Sequence, residues 1–438
     1  MTRVSIITLG CKVNFSDSIS ISENLRKKGY DVIDSFDGAE CYVINTCAVT
    51  SRAEYQSRQA IRRARKASPQ AELIVTGCGA AASPGCFGNI DGVSTLIPPV
   101  EKDRVIDEIT SRLKTRDELS NQPRDFGIKR TRAFLKIQEG CNSNCSFCIV
   151  PRTRGAEWSM ETGDVLAECK GLIDSGYREI VLCGIHLGKY GNSFVKNKDN
   201  PTDSKKSNDK EELASLIHAI RKNINPPHKI RVRLSSIEPK EVTEALLASM
   251  KEGGKIEIAP YLHVPLQSGD DEILAAMNRP YSRNAYKEVI HSISDCLQLP
   301  GIGADVLVGF PGEGEEQFEN TASLLTELPI SYLHVFPFSP RPKTRAFILP
   351  GKIDGTTKKK RAAFIREIGA KKKTDFILRN IGREIDVLPE TETNNLLSGK
   401  AGNYLTVYFQ GEKSDLNRFV TVKMTNICQD GVYGKKVD

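Results

Sequence analysis

Three apolar segments near the N-terminus end alike: IITLGC, YVINTC and LIVTGC, closing at Cys11, Cys47 and Cys78. Between them stand helical patterns, SDSISISENLRKKG after the first and the stretch from about Ala53 to Lys66 after the second. Strand, helix and strand with connections of this length predict right-handed crossovers and an α/β domain built on a parallel sheet, running to about Pro98. The C-terminal ends of parallel strands share one edge, where ligands bind. Three thiols therefore converge there, and Gly10 and Gly77 in front of two of them allow the backbone to approach closely. Cys41 opens its strand and falls on the opposite side of the sheet.

A second set of thiols is local. GCNSNCSFC carries Cys141, Cys145 and Cys148 as C-x3-C-x2-C, directly after the strand-like AFLKIQEG. Three ligands on one tight loop suit a cuboidal [4Fe-4S] cluster, with one iron corner left open, better than a single zinc ion, which needs a fourth ligand from elsewhere. Further strand patterns follow: REIVLCGI, KIRVRLSSIEP, YLHVPLQSG, IGADVLVGF and SYLHVFPFSP, separated by helical segments. About six such repeats predict a (β/α) barrel that is incomplete beside the eight-stranded one.

Twelve cysteines in 438 residues would suggest disulfides in a small secreted domain. Here MTRVSIITLGCKVNFSD lacks a signal-peptide pattern and no apolar run approaches twenty residues, so a cytoplasmic protein without membrane contact is expected, and metal or redox chemistry for its thiols. Cys41, Cys86, Cys169, Cys296 and Cys428 read as ordinary thiols. GFPGE lacks the G-K-[ST] ending of a phosphate loop, which excludes nucleoside triphosphate binding through it. His186, His263 and His334 read as satisfied pocket or core histidines.

Two intervals stand out by charge. NSFVKNKDNPTDSKKSNDKEE, residues 192–212, is lysine-rich and poor in apolar side chains, and reads as a solvated loop or an extra basic arm. Lys352 to Arg383 carries eleven Lys/Arg against three Asp/Glu, so its +8 exceeds the +7 of the whole chain. Phe364, Ile365, Ile368 and Phe376 give that segment an apolar helical stripe and leave a basic face with Lys358, Lys359, Lys360, Arg361, Lys371, Lys372 and Lys373. REIDVL, NYLTVYF, RFVTVKM and GVYGKKV then read as strands of a small β-barrel, with Tyr404, Tyr408, Phe409 and Tyr433 available. A basic helix leading into an aromatic-bearing barrel resembles a platform for single-stranded RNA.

The C-x3-C-x2-C loop with Phe147 before its last cysteine, placed after the first strand of a partial barrel, resembles the radical S-adenosylmethionine (SAM) superfamily. Together with LGCKVN, INTCAVT, TGC, GCNSNCSFCIVPRTRG, HVPLQSG and GADVLVGFPGE, it resembles the methylthiotransferase family over nearly the whole chain. GCKVN, LSSIEP and MNRPYS are most similar to the branch that methylthiolates C2 of N6-threonylcarbamoyladenosine beside the tRNA anticodon. The same chemistry on N6-isopentenyladenosine or on a ribosomal-protein aspartate is the alternative, and a non-catalytic iron-sulfur RNA-binding protein is the competitor from another class.

The resemblance implies three domains: residues 1–115 with an auxiliary [4Fe-4S] cluster on Cys11, Cys47 and Cys78; 127–370, the radical SAM barrel with its cluster on Cys141, Cys145 and Cys148; and 371–438, a TRAM-like RNA-binding barrel. It implies that SAM fills the open corner of the barrel cluster and yields a 5'-deoxyadenosyl radical, while the auxiliary cluster carries the sulfur to be transferred. The backbone at Gly184 and Ile185, with Ser235, Ser236, Glu238 and Gln267 at strand ends, is then expected to hold cofactor or substrate, and Ser268 beside them. Arg152 and Arg154 are expected to stabilise a cluster or meet RNA phosphate. The implied partners are the tRNA anticodon stem-loop, with Tyr404 among the RNA contacts, an external electron donor and a sulfur source.

Overall fold

The computed structural model describes residues 2–113, 131–195, 204–205, 212–428 and 431–437. Most of the lysine-rich interval and of the expected linker before residue 130 lies outside them. The chain divides into two compact units that do not follow chain order. One gathers the described residues of Met1–Ile128, Glu139–Glu157 and Arg341–Thr344; the other gathers those of Lys129–Gln138, Trp158–Pro340 and Arg345–Asp438. Both cysteine sets therefore belong to the first unit.

The first unit is built on five parallel strands: β1 (Arg3–Thr8), β2 (Asp31–Ile33), β3 (Cys41–Thr46), β4 (Glu72–Gly77) and β5 (Val93–Ile97). Their spatial order is 2-1-3-4-5, so the topology reverses between β1 and β3, where open α/β sheets bind ligands. Side chains alternate between the sheet's two apolar faces. Val4, Ile6, Val43 and Ile74 pack with Ile21, Leu25, Val105 and Ile109, whereas Tyr42, Ile44, Leu73 and Val75 pack with Ile61, Ala64 and Phe87. Strands β2 and β5 are too short and too polar at alternate positions to have stood out in the sequence.

The second unit contains the partial barrel. Strands Arg132–Lys136, Glu179–Cys183, Ile230–Leu234 and the short Ile256–Ile258 form one parallel sheet, and Tyr261–His263, Gly301–Val308 and Tyr332–Pro337 form another. A parallel bridge from Ser236 to His263 continues one sheet into the other. The six main strands thus follow one another in chain order, as the α/β reading predicts, and one apolar cluster running from Leu135 to Ile365 lies behind them.

The last strands close into a five-stranded barrel: Glu384–Thr393, Leu396–Ala401, Thr406–Phe409, Gly431–Lys436 and Val420–Cys428, in that order around the barrel. Val387, Leu397, Val407, Phe409, Val422 and Val432 fill it. Leu396–Ala401, LLSGKA, was not legible as a strand, because Gly399 and Lys400 break its apolar alternation.

IRVRL, residues 230–234, explains how this barrel is held. Ile230, Val232 and Leu234 point into the apolar cluster, so Arg231 and Arg233 point the other way and are almost wholly buried. Arg233 is bidentate on Glu179, at 2.9 and 3.1 Å, and donates to the carbonyls of Gly402 and Ala401. Arg231 donates to the carbonyls of Asp386 and Lys400. Burial opposes ionisation of Glu179, but Arg233 and Arg231 outweigh it and hold its carboxyl below the usual range. Removing one partner of such a set leaves a buried charge uncompensated. Glu179→Ala is therefore expected to cost about 3–5 kcal/mol in chemical unfolding; a loss below about 1 kcal/mol, the size of an exposed pair, would contradict this role.

Candidate iron-sulfur and SAM site

The strand ends β1, β3 and β4 deliver Cys11, Cys47 and Cys78 to one edge. They are knitted together by polar side chains. Asn14 donates to the carbonyls of Leu9 and Thr46 at 2.8 and 3.0 Å, and Asn45 donates to the Asn14 carbonyl at 2.9 Å. Thr46 Oγ1 donates to the Thr76 carbonyl and accepts from the Ala80 amide, which fixes the turn that carries Cys78. Gly77 has φ of 91°, and a Cβ there would lie 2.4 Å from Asn45 Oδ1 and the Thr46 carbonyl. Only glycine fits, and its absence of a side chain lets Cys78 sit against β3.

Cys47 and Cys78 are buried, whereas Cys11 is exposed. Burial pushes the Cys47 thiol up to about 11, and Cys11 and Cys78 add to the push. All twelve cysteines are free. Cys41 lies buried at the start of β3, away from this edge.

The second thiol loop runs from Gly140, whose φ is 72° and whose added Cβ would meet the Ala156 carbonyl at 2.0 Å. The Cys141 amide points to the Gly155 carbonyl at 3.4 Å and the Cys148 amide donates to the Cys145 carbonyl at 3.2 Å, so the chain turns on itself between them. Ile149, next to Cys148, packs with Cys78 and with Ala48, the neighbour of Cys47. The two cysteine sets are thus adjacent within one unit.

Arg154 joins them. Its side chain is fully buried, and it sits in PRTRG at the end of helix Val150–Arg154. Nε donates to Cys78 Sγ at 3.1 Å, Nη1 to Asp17 Oδ2 at 2.9 Å and to Glu139 Oε1 at 2.5 Å, and Nη2 to Asn14 Oδ1. Burial opposes its charge, but Cys78, Glu139 and Asp17 outweigh that and hold the guanidinium protonated. Arg152, by contrast, is exposed. Sequence reasoning singled out Arg154 but missed Asp17, Glu139 and also Arg341, which is buried, pairs with Glu54 at 2.7 Å and favours the thiolate of Cys47. Nothing in FPFSPRPKTR marks Arg341, because its partner Glu54 comes from nearly three hundred positions away.

The donor chemistry suits iron-sulfur clusters. Each set offers three thiols and no disulfide competes for them, while the buried guanidinium groups favour an anionic group at the sulfurs.

In the second unit the expected strand-end residues divide. The Gly184 amide lies 3.4 Å from Ser235 Oγ, and the His186 amide donates to Gln138 Oε1 at 2.7 Å, so Gly184, Ile185 and Ser235 form one tight end. Ser236 is exposed. Glu238 is committed to Arg279 and to capping the turn at Pro239–Glu241. Gln267 has φ of 65°, and its amide donates to the Asp305 carbonyl; Ser268 is buried against Thr321. His186 Nε2 lies 2.6 Å from Glu241. His263 Nε2 and His334 Nδ1 share Asp305 Oδ1 at 2.9 and 3.2 Å with their rings stacked. Burial opposes ionisation of Asp305, but the two imidazoles outweigh it and hold its carboxyl well below the carboxylate range.

The basic helix is Gly355–Asn380. Lys359, Lys360 and Lys371 are exposed. Arg361, expected on the basic face, is instead buried and bound to Glu313 at 2.8 Å. Lys372 caps helix Glu315–Glu327 through the carbonyls of Thr326 and Leu328, and Lys358 lies over Phe338 and donates to its carbonyl. Tyr404, with φ of 74°, stacks on Tyr261 at 4.6 Å and receives Arg233 on its ring at 4.9 Å. These residues are taken up by packing that a one-dimensional charge pattern does not report. Tyr408 and Tyr433 pack against each other, and Phe409 lies inside the small barrel.

Comparison with known proteins agrees with this architecture. Residues 3–96 match the model of an uncharacterized protein family, UPF0004, and residues 135–325 match the radical SAM superfamily. The chain is 32% identical to the threonylcarbamoyladenosine tRNA methylthiotransferase MtaB of Bacillus subtilis (strain 168), over 97% of this chain and 94% of that protein. It is 34% identical to the MtaB of Aquifex aeolicus (strain VF5), covering 94% and 97%. A tRNA-2-methylthio-N(6)-dimethylallyladenosine synthase of Lawsonia intracellularis (strain PHE/MN1-00) is 30% identical, covering 96% and 95%. Among solved structures, the radical SAM methyltransferase TsrM of Kitasatospora setae shares the fold with a TM-score of 0.57 at 14% identity, over 80% of this chain and 75% of that one. The chain belongs to the radical SAM methylthiotransferase family.

Proposed function

We propose that this protein transfers a methylthio group to C2 of N6-threonylcarbamoyladenosine next to the anticodon of tRNA, in the cytoplasm. The observation that carries the reading is the adjacency of two three-thiol sets in one unit, through Ile149, Ala48 and Cys78. No helix among the described residues is long and apolar enough to cross a membrane.

Cys141, Cys145 and Cys148 would hold the radical SAM cluster, and Cys11, Cys47 and Cys78 the auxiliary one. When bound, the clusters and SAM supply the one-electron chemistry and the sulfur. The chain's own contribution is positioning. Asn14, Asn45 and Thr46 fix the strand ends, and Arg154 locks the two loops together through four partners. The backbone at Gly184 and Ile185, with Ser235 and Gln267, remains our assignment for SAM and substrate contacts; Ser236 and Glu238 contribute less directly, Glu238 through its hold on Arg279. An electron donor and a sulfur source complete the proposed set of partners. The domains are proposed at 1–115, 127–370 and 371–438.

For tRNA, the exposed Lys359, Lys360 and Lys371 offer sequence-tolerant phosphate contacts. The same helix contributes Arg366 and Lys373 to a pocket of about 360 Å³, lined also by His334, Lys400, Tyr404 and Thr406, with no carboxylate among its lining residues. Lys400 donates to Thr406 Oγ1 and lies against the Tyr404 ring. The five-stranded barrel that supplies Lys400 is TRAM-like in this reading. The second reading, an isopentenylated adenosine, is favoured by the Lawsonia relative, at 30% identity.

Three outcomes follow. The reconstituted protein, given SAM, a reductant and an anticodon stem-loop bearing N6-threonylcarbamoyladenosine, is expected to yield the 2-methylthio nucleoside by mass spectrometry; product only from the isopentenylated stem-loop would transfer the assignment to the second reading. Cys148→Ala should abolish 5'-deoxyadenosine formation, whereas Cys47→Ala should keep SAM cleavage and lose methylthio product. Lys400→Gln should weaken stem-loop binding and reduce the slope of log K against log salt by about one for each phosphate that Lys400 neutralises; an unchanged slope would remove Lys400 from the RNA surface.

A further inference from the structure

Two buried guanidinium groups share the unit that carries the thiols of β1, β3 and β4, and they arrive from distant parts of the chain. Arg154 comes from the loop of the other cysteine set. Two carboxylates, Asp17 and Glu139, and the Asn14 carboxamide hold its Nη atoms, so Nε alone is aimed at sulfur, at 3.1 Å from Cys78. Lys102 lies 3.3 Å from Asp17 and balances that carboxylate further. Arg341 comes from the chain after the partial barrel. Glu54 takes its Nη1 at 2.7 Å, and Glu54 is itself held by Arg58. The remaining donors of Arg341, Nε and Nη2, are buried and have no hydrogen-bond partner among the described residues.

An unsatisfied buried N–H costs about 1–3 kcal/mol, and two on one charged side chain are not a neutral feature of a fold. They belong to the guanidinium bound to Glu54, on the helix Ser51–Ala67 that follows Cys47. A sulfur-rich anion at the three thiols would accept from both, because thiolate and sulfide sulfurs are hydrogen-bond acceptors around iron-sulfur centres and such bonds tune the reduction potential. A second argument is geometry: Asp17, Glu139 and Asn14 occupy the Nη atoms of Arg154 and leave its Nε to sulfur, while Glu54 takes only Nη1 of Arg341.

We infer that Arg154 and Arg341 are positioning residues of the auxiliary centre: they donate hydrogen bonds to the sulfurs of a cluster held by Cys11, Cys47 and Cys78 and raise its reduction potential. The inference rests on the proposed cluster reading. It also gives the PRTRG loop a function toward the other cysteine set: its Arg154 makes the auxiliary centre electrostatically dependent on the fold of the radical SAM loop.

The test uses the full chain with Cys141, Cys145 and Cys148 all changed to Ala, so that a single cluster remains after anaerobic reconstitution with iron and sulfide. The potential is read by redox titration followed by electron paramagnetic resonance. Arg341→Gln and Arg154→Lys are expected to load iron at the parental level, to titrate at a more negative potential and to show altered g-values. Arg341→Lys, which keeps the charge with fewer directed donors, should fall between Arg341→Gln and the parent. Parental potential and g-values at parental iron content would overturn the inference. So would an Arg341→Gln chain that fails to load beside an Arg341→Lys chain that loads with the parental potential, since that pattern is a structural role alone. A parent chain that binds no four-iron cluster would instead overturn the cluster reading beneath it.

Discussion

A guanidinium group with no exposed surface is tolerable only when every direction around it is answered, and Arg154 is answered by four partners from three places in the chain. Asp17 and Asn14 come from the helix that follows Cys11, Glu139 from the residues before Cys141, and Cys78 from the end of β4. Burying an unpaired charge would cost several kcal/mol, so the ion set forms only when the two cysteine loops are in register. The same interaction that closes this part of the fold therefore brings the two thiol sets together. Catalysis that must deliver a radical and a sulfur to one carbon needs that proximity before any substrate arrives.

The second unit solves a related problem with the same residue type. Arg231 and Arg233 occupy the inward side of a barrel strand, where Arg233 is bound by Glu179 and both donate to backbone carbonyls of the small C-terminal barrel. Tyr404 then covers Arg233 and stacks on Tyr261. One end of the partial barrel is thus filled by charge and aromatic rings rather than by an apolar plug. The His263, Asp305 and His334 group lies one step further along the same strands, on the register of Gly303 and Asp305.

How much of this was legible follows from what each signal depends on. The thiols at Cys11, Cys47 and Cys78 could be brought together from sequence because strand polarity in a crossover-connected sheet fixes which ends share an edge. The succession of barrel strands was legible for the same reason: VLCGI, VRLSS and DVLVGF carry buried apolar runs at their strand ends. The fate of individual charges was not. IRVRL does not say that its arginines face inward to a glutamate 54 positions earlier, and the run Lys358 to Arg361 does not say that Arg361 turns in to Glu313 while Lys359 and Lys360 stay out. LLSGKA escaped because glycine and lysine hide a strand whose pairing is set by its neighbours. Long-range pairing decides these cases, and a local pattern carries no record of it.

The central claim is that one compact unit holds two three-thiolate sites, each suited to its own cluster. Iron and acid-labile sulfide counted per chain after anaerobic reconstitution test it most directly. The account predicts about eight irons and no zinc, the sum for two four-iron clusters. A value near four, unchanged when Cys11, Cys47 and Cys78 are all replaced by alanine, would contradict it.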